Sequence, residues 1–267
     1  MTIGLATDDF GKIAAITLLN VHKEGQGKKG FKRPVLFPKI VFLYDKELHG
    51  DGSEQYPNGE VFNAGIECSA KTMYPDWLSL TGKGYVPEMY KKYKRVISPM
   101  GCRAFLSPWF ERGGMEPADE NDKPVFEGRF NLGVVSLNLI MILAKSRQEN
   151  KDFYEVLDYY LELIRGLHKR TYDYIGELRA SVNPIMFCEG GILNGYLKPN
   201  QKIKSLLPPM TITYGITALN ELQQLYNGKS IREDGEFALE VMQHINDYVE
   251  RIKKEDKILY AVYGTPR

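Results

Sequence analysis

The chain has 267 residues, 43% of them hydrophobic and 26% charged, enough to bury one large α/β domain or two ordinary ones and unlike a disordered, fibrous or disulfide-dependent chain. Thirty-five Lys and Arg against 34 Asp and Glu leave a formal net charge of +1. That balance removes any general attraction to nucleic acid or a membrane surface, so a bound phosphate must be held by local groups.

Cys68, Cys102 and Cys188 lie far apart without a C-x-x-C pair, and His22, His49, His168 and His244 are equally scattered. This argues against a zinc or iron–sulfur site built from the chain alone and against a secreted disulfide framework. No signal-like segment and no apolar run of membrane-spanning length is present, so the expected location is the cytoplasm.

Taken in order, Thr7-Asp8-Asp9 supplies capping oxygens for a helix carrying Ile13, Ile16 and Leu19, which should end before Gly25-Gln26-Gly27-Lys28-Lys29-Gly30. That run lacks P-loop spacing and follows a helix where a P-loop follows a strand, so it reads as a solvated turn. Pro38 to Tyr44 reads as a buried strand, and His49 to Asn63, rich in glycine and polar residues, as a loop. Leu132 to Leu139 is apolar on both alternating faces, as expected of a strand inside a parallel sheet. After Asp152 comes the strongest helix, with Val156, Leu157, Tyr160, Leu161, Ile164 and Leu167 on one face, either running on or breaking near Gly166 and Gly176. Ile216, Leu219, Leu222 and Leu225 signal another helix stopped by Asn227-Gly228, and Phe237, Val241, Ile245, Tyr248 and Ile252 a last one. Lys257 to Tyr263 is the closing strand. Strands alternating with long helices predict a parallel α/β fold. Both ends look abrupt: Met1-Thr2-Ile3-Gly4 leads straight into a helix, and Gly264-Thr265-Pro266-Arg267 stops in what should be a loop.

Pro99-Met100-Gly101-Cys102-Arg103 places a thiol in a sharply punctuated segment, suited to the tip of a tight loop. Cys102 is then either a small buried hydrophobe, the common fate of a free cysteine, or a reactive sulfur. No histidine stands close in sequence to act as its base.

Met100-Gly101-Cys102-Arg103, followed by Phe126-Glu127-Gly128-Arg129-Phe130-Asn131-Leu132-Gly133-Val134-Val135-Ser136-Leu137-Asn138-Leu139, resembles the finger loop and following strand of anaerobic (class III) ribonucleotide reductases. Glu67 to Asp76, Asn183-Pro184 with Cys188-Glu189-Gly190-Gly191, Tyr214 to Glu221 and Tyr263-Gly264-Thr265-Pro266 resemble further family motifs, in the family's order. The resemblance implies an α/β barrel of ten strands, made from two parallel half-sheets with the finger loop through the centre. Residues 1–267 would form one incomplete catalytic barrel domain, mainly the loop and second half-barrel. An ATP-cone and a C-terminal zinc and glycyl-radical region would lie elsewhere.

The same resemblance makes Cys102 the thiyl-radical position, flanked by Met100 and Gly101 against the substrate. Asn131 aligns with a polar position that orients the sugar or the reductant; an Asn ending a turn before a strand is the other reading. Gly264 and Thr265 resemble the start of a loop that holds substrate phosphates through backbone N–H groups. The substrate would be a ribonucleoside triphosphate. The intact enzyme would use a glycyl radical, structural zinc and ATP or dNTP effectors, and work as a homodimer with a radical-SAM activase and formate or a thioredoxin-like reductant. Ile140 stands where the family has proline, Ile192 to Tyr196 varies a glycine-rich loop, and Arg267 replaces the usual Ala-Glu continuation. The alternatives are a non-catalytic remnant or interaction module, and a fragment of another glycyl radical enzyme.

Overall fold

The computed structural model describes residues 1–96, 99 and 105–265; Met100, Gly101, Cys102, Pro266 and Arg267 lie outside the described residues. The chain divides into two compact units, residues 1–102 and 103–267. Each carries a three-stranded, all-parallel sheet among the described residues, the α/β arrangement that alternating strands and long helices predict.

The first unit runs β1 (Thr2–Ile3), α1 (Asp9–Glu24), β2 (Val41–Tyr44), α2 (Lys46–His49), α3 (Gly59–Thr72), β3 (Asp76–Ser79) and α4 (Tyr85–Tyr93), with its strands in the order β1-β2-β3. Helix α1 starts where its sequence says it should: the Asp8 carboxylate accepts from Gly11 N at 2.9 Å, satisfying one amide of the open first turn. The glycine and lysine run beyond it is exposed. Ala15 and Leu19 of α1, Phe42 of β2 and Val61, Ala64 and Cys68 of α3 form the core.

The expected loop from His49 to Asn63 is corrected, because α2 ends at His49 and α3 begins at Gly59. Its glycines mark close approach: a Cβ on Gly59 would stand 2.4 Å from the Ser53 carbonyl oxygen. Asn58, fully buried, donates to the carbonyls of Gly4 and Ala6 at 2.7 and 3.0 Å. A polar residue that looked like loop composition thus ties the strand end to the helix start.

The second unit runs β4 (Asn131–Asn138), α5 (Leu139–Glu149), α6 (Phe153–Glu177), α7 (Pro184–Phe187), β5 (Thr211–Thr217), α8 (Leu219–Asn227), α9 (Glu236–Asp256) and β6 (Leu259–Gly264), ordered β4-β5-β6. Helix α6 begins at the Asp152 cap and passes through Gly166 and Gly176 without breaking; at Gly176 a Cβ would come within 3.3 Å of Leu207 and Lys204. The Asn183-Pro184 motif is a helix start, with the Asn183 side chain accepting from Met186 N and proline in the first turn, where its missing N–H costs nothing.

Two other expectations need correction. Ile216 is not helical: it lies in the central strand β5, and α8 starts only after Ala218, which turns the chain at φ +64. Strand β4 is not covered on both faces, since Val134 is 44% exposed and Ser136 and Asn138 are exposed. It is an edge strand, and Leu139 already belongs to α5, whose first turn is capped by the Asn138 side chain. Leu132, Leu137, Ile212, Tyr214, Ile216 and Tyr260 point into a core shared with α6 and α9. Among the described residues no helix is long and apolar enough to cross a membrane.

Candidate functional site: the hydroxyl face of the second sheet

Side chains alternate along a strand. Since Ile212, Tyr214 and Ile216 of β5 face the helices, Thr211, Thr213 and Gly215 face the other way. All three are buried. A central parallel strand is normally apolar on both faces, so this polar face calls for a reason. Its polar groups are satisfied in three successive tiers along the strand.

At the amino end, Thr211 Oγ1 accepts from Ser107 N at 3.1 Å, while Ser107 Oγ donates to the Tyr260 carbonyl at 3.1 Å. Arg129, itself buried, donates to the carbonyls of Ser107, Val125 and Pro209. Charge-assisted bonds of this kind are among the stronger ones. They fix the chain around Ser107 onto the sheet, five positions along the sequence from Cys102.

In the middle tier, Asn131 Nδ2 donates to Thr213 Oγ1, and Asn131 Oδ1 accepts from Gly133 N at 2.9 Å. The register of β4 against β5 shifts between Asn131 and Val134, so the side chain holds an irregular stretch of backbone. One amide hydrogen and one oxygen lone pair remain available, because a primary amide carries two donors and two acceptor sites.

At the carboxyl end, Ser136 Oγ lies 3.0 Å from Thr265 Oγ1, and Thr265 N donates to the Ile216 carbonyl at 2.9 Å. Ser136 and Tyr263 flank Gly215 in the strand register. The glycine makes the hydroxyl contact possible: a Cβ there would sit 2.3 Å from Ser136 Oγ and 2.7 Å from Thr265 Oγ1. Gly264 has open space where a side chain would be. Carboxyl ends of parallel strands are where ligands of open α/β sheets bind. Beside them, at the outer edge of β4, a cavity of about 700 Å³ opens between α5 and α6, and its charged lining residues are Lys145 and Arg170.

The helix side is a rigid support. Arg165 grips Asp256 through two 2.8 Å bonds, Lys169 adds a third at 2.9 Å, and Tyr260 Oη donates to the same carboxylate at 3.0 Å. The hydrogen bond from Arg165 holds the Asp256 carboxyl well below the usual range. Burial pushes His168 down to about 4 and Tyr214 upward; their rings meet edge to face at 4.9 Å.

Of the residues singled out from sequence, the structure brings Thr265 to the carboxyl-end tier, places Gly264 at the end of β6 and sets Asn131 in the middle tier. Met100, Gly101 and Cys102 lie outside the described residues. Ser107, Thr211, Thr213, Ser136 and Gly215 were not singled out, although Thr211-x-Thr213-x-Gly215-x-Thr217 is a visible two-residue alternation. Cys68 is a fully buried free cysteine packed in the first unit, and Cys188 is half-buried. Among the described residues no group of three His, Cys, Asp or Glu side chains is placed to hold a metal ion.

Residues 2–267 match the family model described as anaerobic ribonucleoside-triphosphate reductase. The chain is 30% identical over 98% of its length to the anaerobic ribonucleoside-triphosphate reductase of Haemophilus influenzae and covers 35% of that protein. It is 28% identical to the Escherichia coli enzyme of the same name, with 98% of this chain and 35% of that protein aligned. The enzyme of that name from Enterobacteria phage T4 is 28% identical, with 100% of this chain and 41% of that protein aligned. The chain therefore spans little more than a third of the length of these curated relatives.

Proposed function

The chain belongs to the anaerobic ribonucleoside-triphosphate reductase family, and from that premise we propose that it is the central catalytic segment of an enzyme that reduces ribonucleoside triphosphates to deoxyribonucleotides by thiyl-radical chemistry. The observation that carries this reading is the family match over residues 2–267.

In this reading Cys102 takes the hydrogen atom from C3′ of the ribose and returns it after the 2′-hydroxyl has left as water. Sulfur suits the task because its S–H bond is close in strength to an activated ribose C–H, so transfer runs both ways. Met100 and Gly101 border the sulfur on the substrate side. A glycyl radical, introduced by a radical-SAM activase, would supply the unpaired electron, and formate or a thioredoxin-like protein the two reducing electrons.

The residues that the structure describes fit the binding part of this chemistry. Asn131 is held by Thr213 and Gly133 N, which leaves one donor and one acceptor in a fixed direction for the sugar or the reductant. Gly264 and Thr265, at the carboxyl end of β6, take the nucleotide phosphates. Zinc, ATP or dNTP effectors, the homodimer contact and a cytoplasmic location go with the whole enzyme. The family assignment favours a nucleotide substrate over those of other glycyl radical enzymes.

A non-catalytic interaction module is the second reading, favoured by Phe10, Ile13 and Val21 on one exposed face of α1, at 82%, 64% and 58% exposure. The deciding experiment is anaerobic turnover of a ribonucleoside triphosphate by the chain complemented with the rest of the barrel, the glycyl-radical region and its activase. Turnover is expected, and Cys102→Ala should abolish it while the circular dichroism spectrum stays unchanged. Undiminished turnover in that variant would remove Cys102 from the mechanism, and failure of every complemented mixture would favour the interaction module.

A further inference from the structure

The carboxyl-end tier of the hydroxyl face has a shape that packing alone does not require. Ser136 comes from the outer strand β4 and Thr265 directly follows the other outer strand, β6, yet their hydroxyls meet at 3.0 Å across the central one, because Gly215 leaves the intervening position empty. An alanine there would collide with both oxygens. A glycine in the middle of a buried strand is costly relative to a residue with a side chain. Between the two hydroxyls there are two O–H groups and one shared contact, so one O–H remains free to donate outward. Ser136 is exposed, and Gly264 next to Thr265 is open.

We propose that Ser136 and Thr265 form a two-hydroxyl clasp for a phosphoryl oxyanion, with Gly215 keeping the cradle open, and that Ser136 is thereby a substrate-positioning residue. The proposal rests on the nucleotide reading given above and adds to it Ser136 and Gly215. The outward hydroxyl donates to a phosphoryl oxygen while the other holds the first in line. The chain after β6 is kept on the sheet by the Thr265 amide bond to Ile216, so both oxygens are placed before the ligand arrives, which lowers the ordering cost of binding.

The test is a titration of the full chain with sodium tripolyphosphate and, separately, with CTP, followed by amide NMR shifts. In the wild type both ligands should move the Ser136, Gly215, Gly264 and Thr265 amides. Ser136→Ala should weaken binding by roughly tenfold to a hundredfold, the loss of one hydrogen bond to a charged acceptor. Ser136→Thr, which restores a hydroxyl, should recover it, and Gly215→Ala should weaken binding at least as much as Ser136→Ala. Circular dichroism and Trp109 fluorescence serve as fold controls. Equal affinity in wild type and Ser136→Ala, or no response of these amides to tripolyphosphate, would overturn the clasp. A response to tripolyphosphate but not to CTP would leave the clasp standing and remove the nucleotide reading.

Discussion

The two sheets have the same plan and different middles. In the first unit the central strand β2 buries Val41, Phe42 and Leu43, so both of its faces are apolar, and Phe42 meets Trp77 at 4.5 Å and His49 at 5.1 Å between ring centroids. In the second unit the central strand keeps one apolar face, Ile212, Tyr214 and Ile216, and gives the other to Thr211, Thr213 and Gly215. Both strands are buried, so burial does not tell them apart. What separates them is whether the buried face gains stability by excluding water or holds polar groups in fixed directions, each with a partner. The first arrangement is that of a scaffold, the second that of a candidate site.

This contrast can be broken most directly at Phe42. Phe42→Ala should cost about 3–5 kcal/mol, the usual range for emptying a buried aromatic position. Each unit contains one of the chain's two tryptophans, Trp77 and Trp109, so denaturant unfolding can be followed in one unit at a time by replacing the other tryptophan. The loss should appear in the Trp77 signal; equal loss in both would show that the two sheets unfold together.

A somewhat smaller effect should come from pH. The folded unit holds His168 at about 4, against 6.5 for the free side chain. The neutral form is the folded form, so this contribution is complete above pH 6.5 and is lost as pH falls from about 6.5 toward 4, while only the unfolded chain takes up the proton. At about 1.4 kcal/mol per pKa unit the total is about 3 kcal/mol. The Trp109 unfolding midpoint should fall through this window, and His168→Gln should flatten that part of the profile. Asp256 acts in a lower window, because Arg165 keeps its carboxylate ionised below the usual range. A wild-type profile that is level between pH 6.5 and 4.5 would contradict the burial of His168.

The smallest effect is expected on the hydroxyl face. Thr213→Val keeps the volume and removes the acceptor for Asn131 Nδ2, for a cost of about 1–2 kcal/mol. If Thr213→Val proved as damaging as Phe42→Ala, the division into scaffold and site would fail.

Much of the framework was legible in sequence. Helices α1, α6 and α9 follow from apolar residues at helical spacing, and Asp8 and Asp152 mark two of their starts. Strand β5 escaped because only one of its faces is apolar, and Ile216, followed by Leu219 and Leu222, extends that face into a false helical period. Helix α5 escaped because it follows β4 without a break, leaving one apolar run across two elements. Asn131, Gly264 and Thr265 entered through family resemblance. Ser136 and Gly215 lay inside the resembling motifs without a role, since their meaning depends on three strands from distant parts of the chain lying side by side.

In both sheets the order of the strands across the sheet is their order along the chain. A ribosome therefore delivers each strand after the neighbour on which it must be laid, and neither sheet has to reserve a gap for a strand still unmade. During synthesis the exposed template at any moment is a single growing edge. A chaperone that shields one edge, first along β2 and later along β5, would meet the need of the nascent protein.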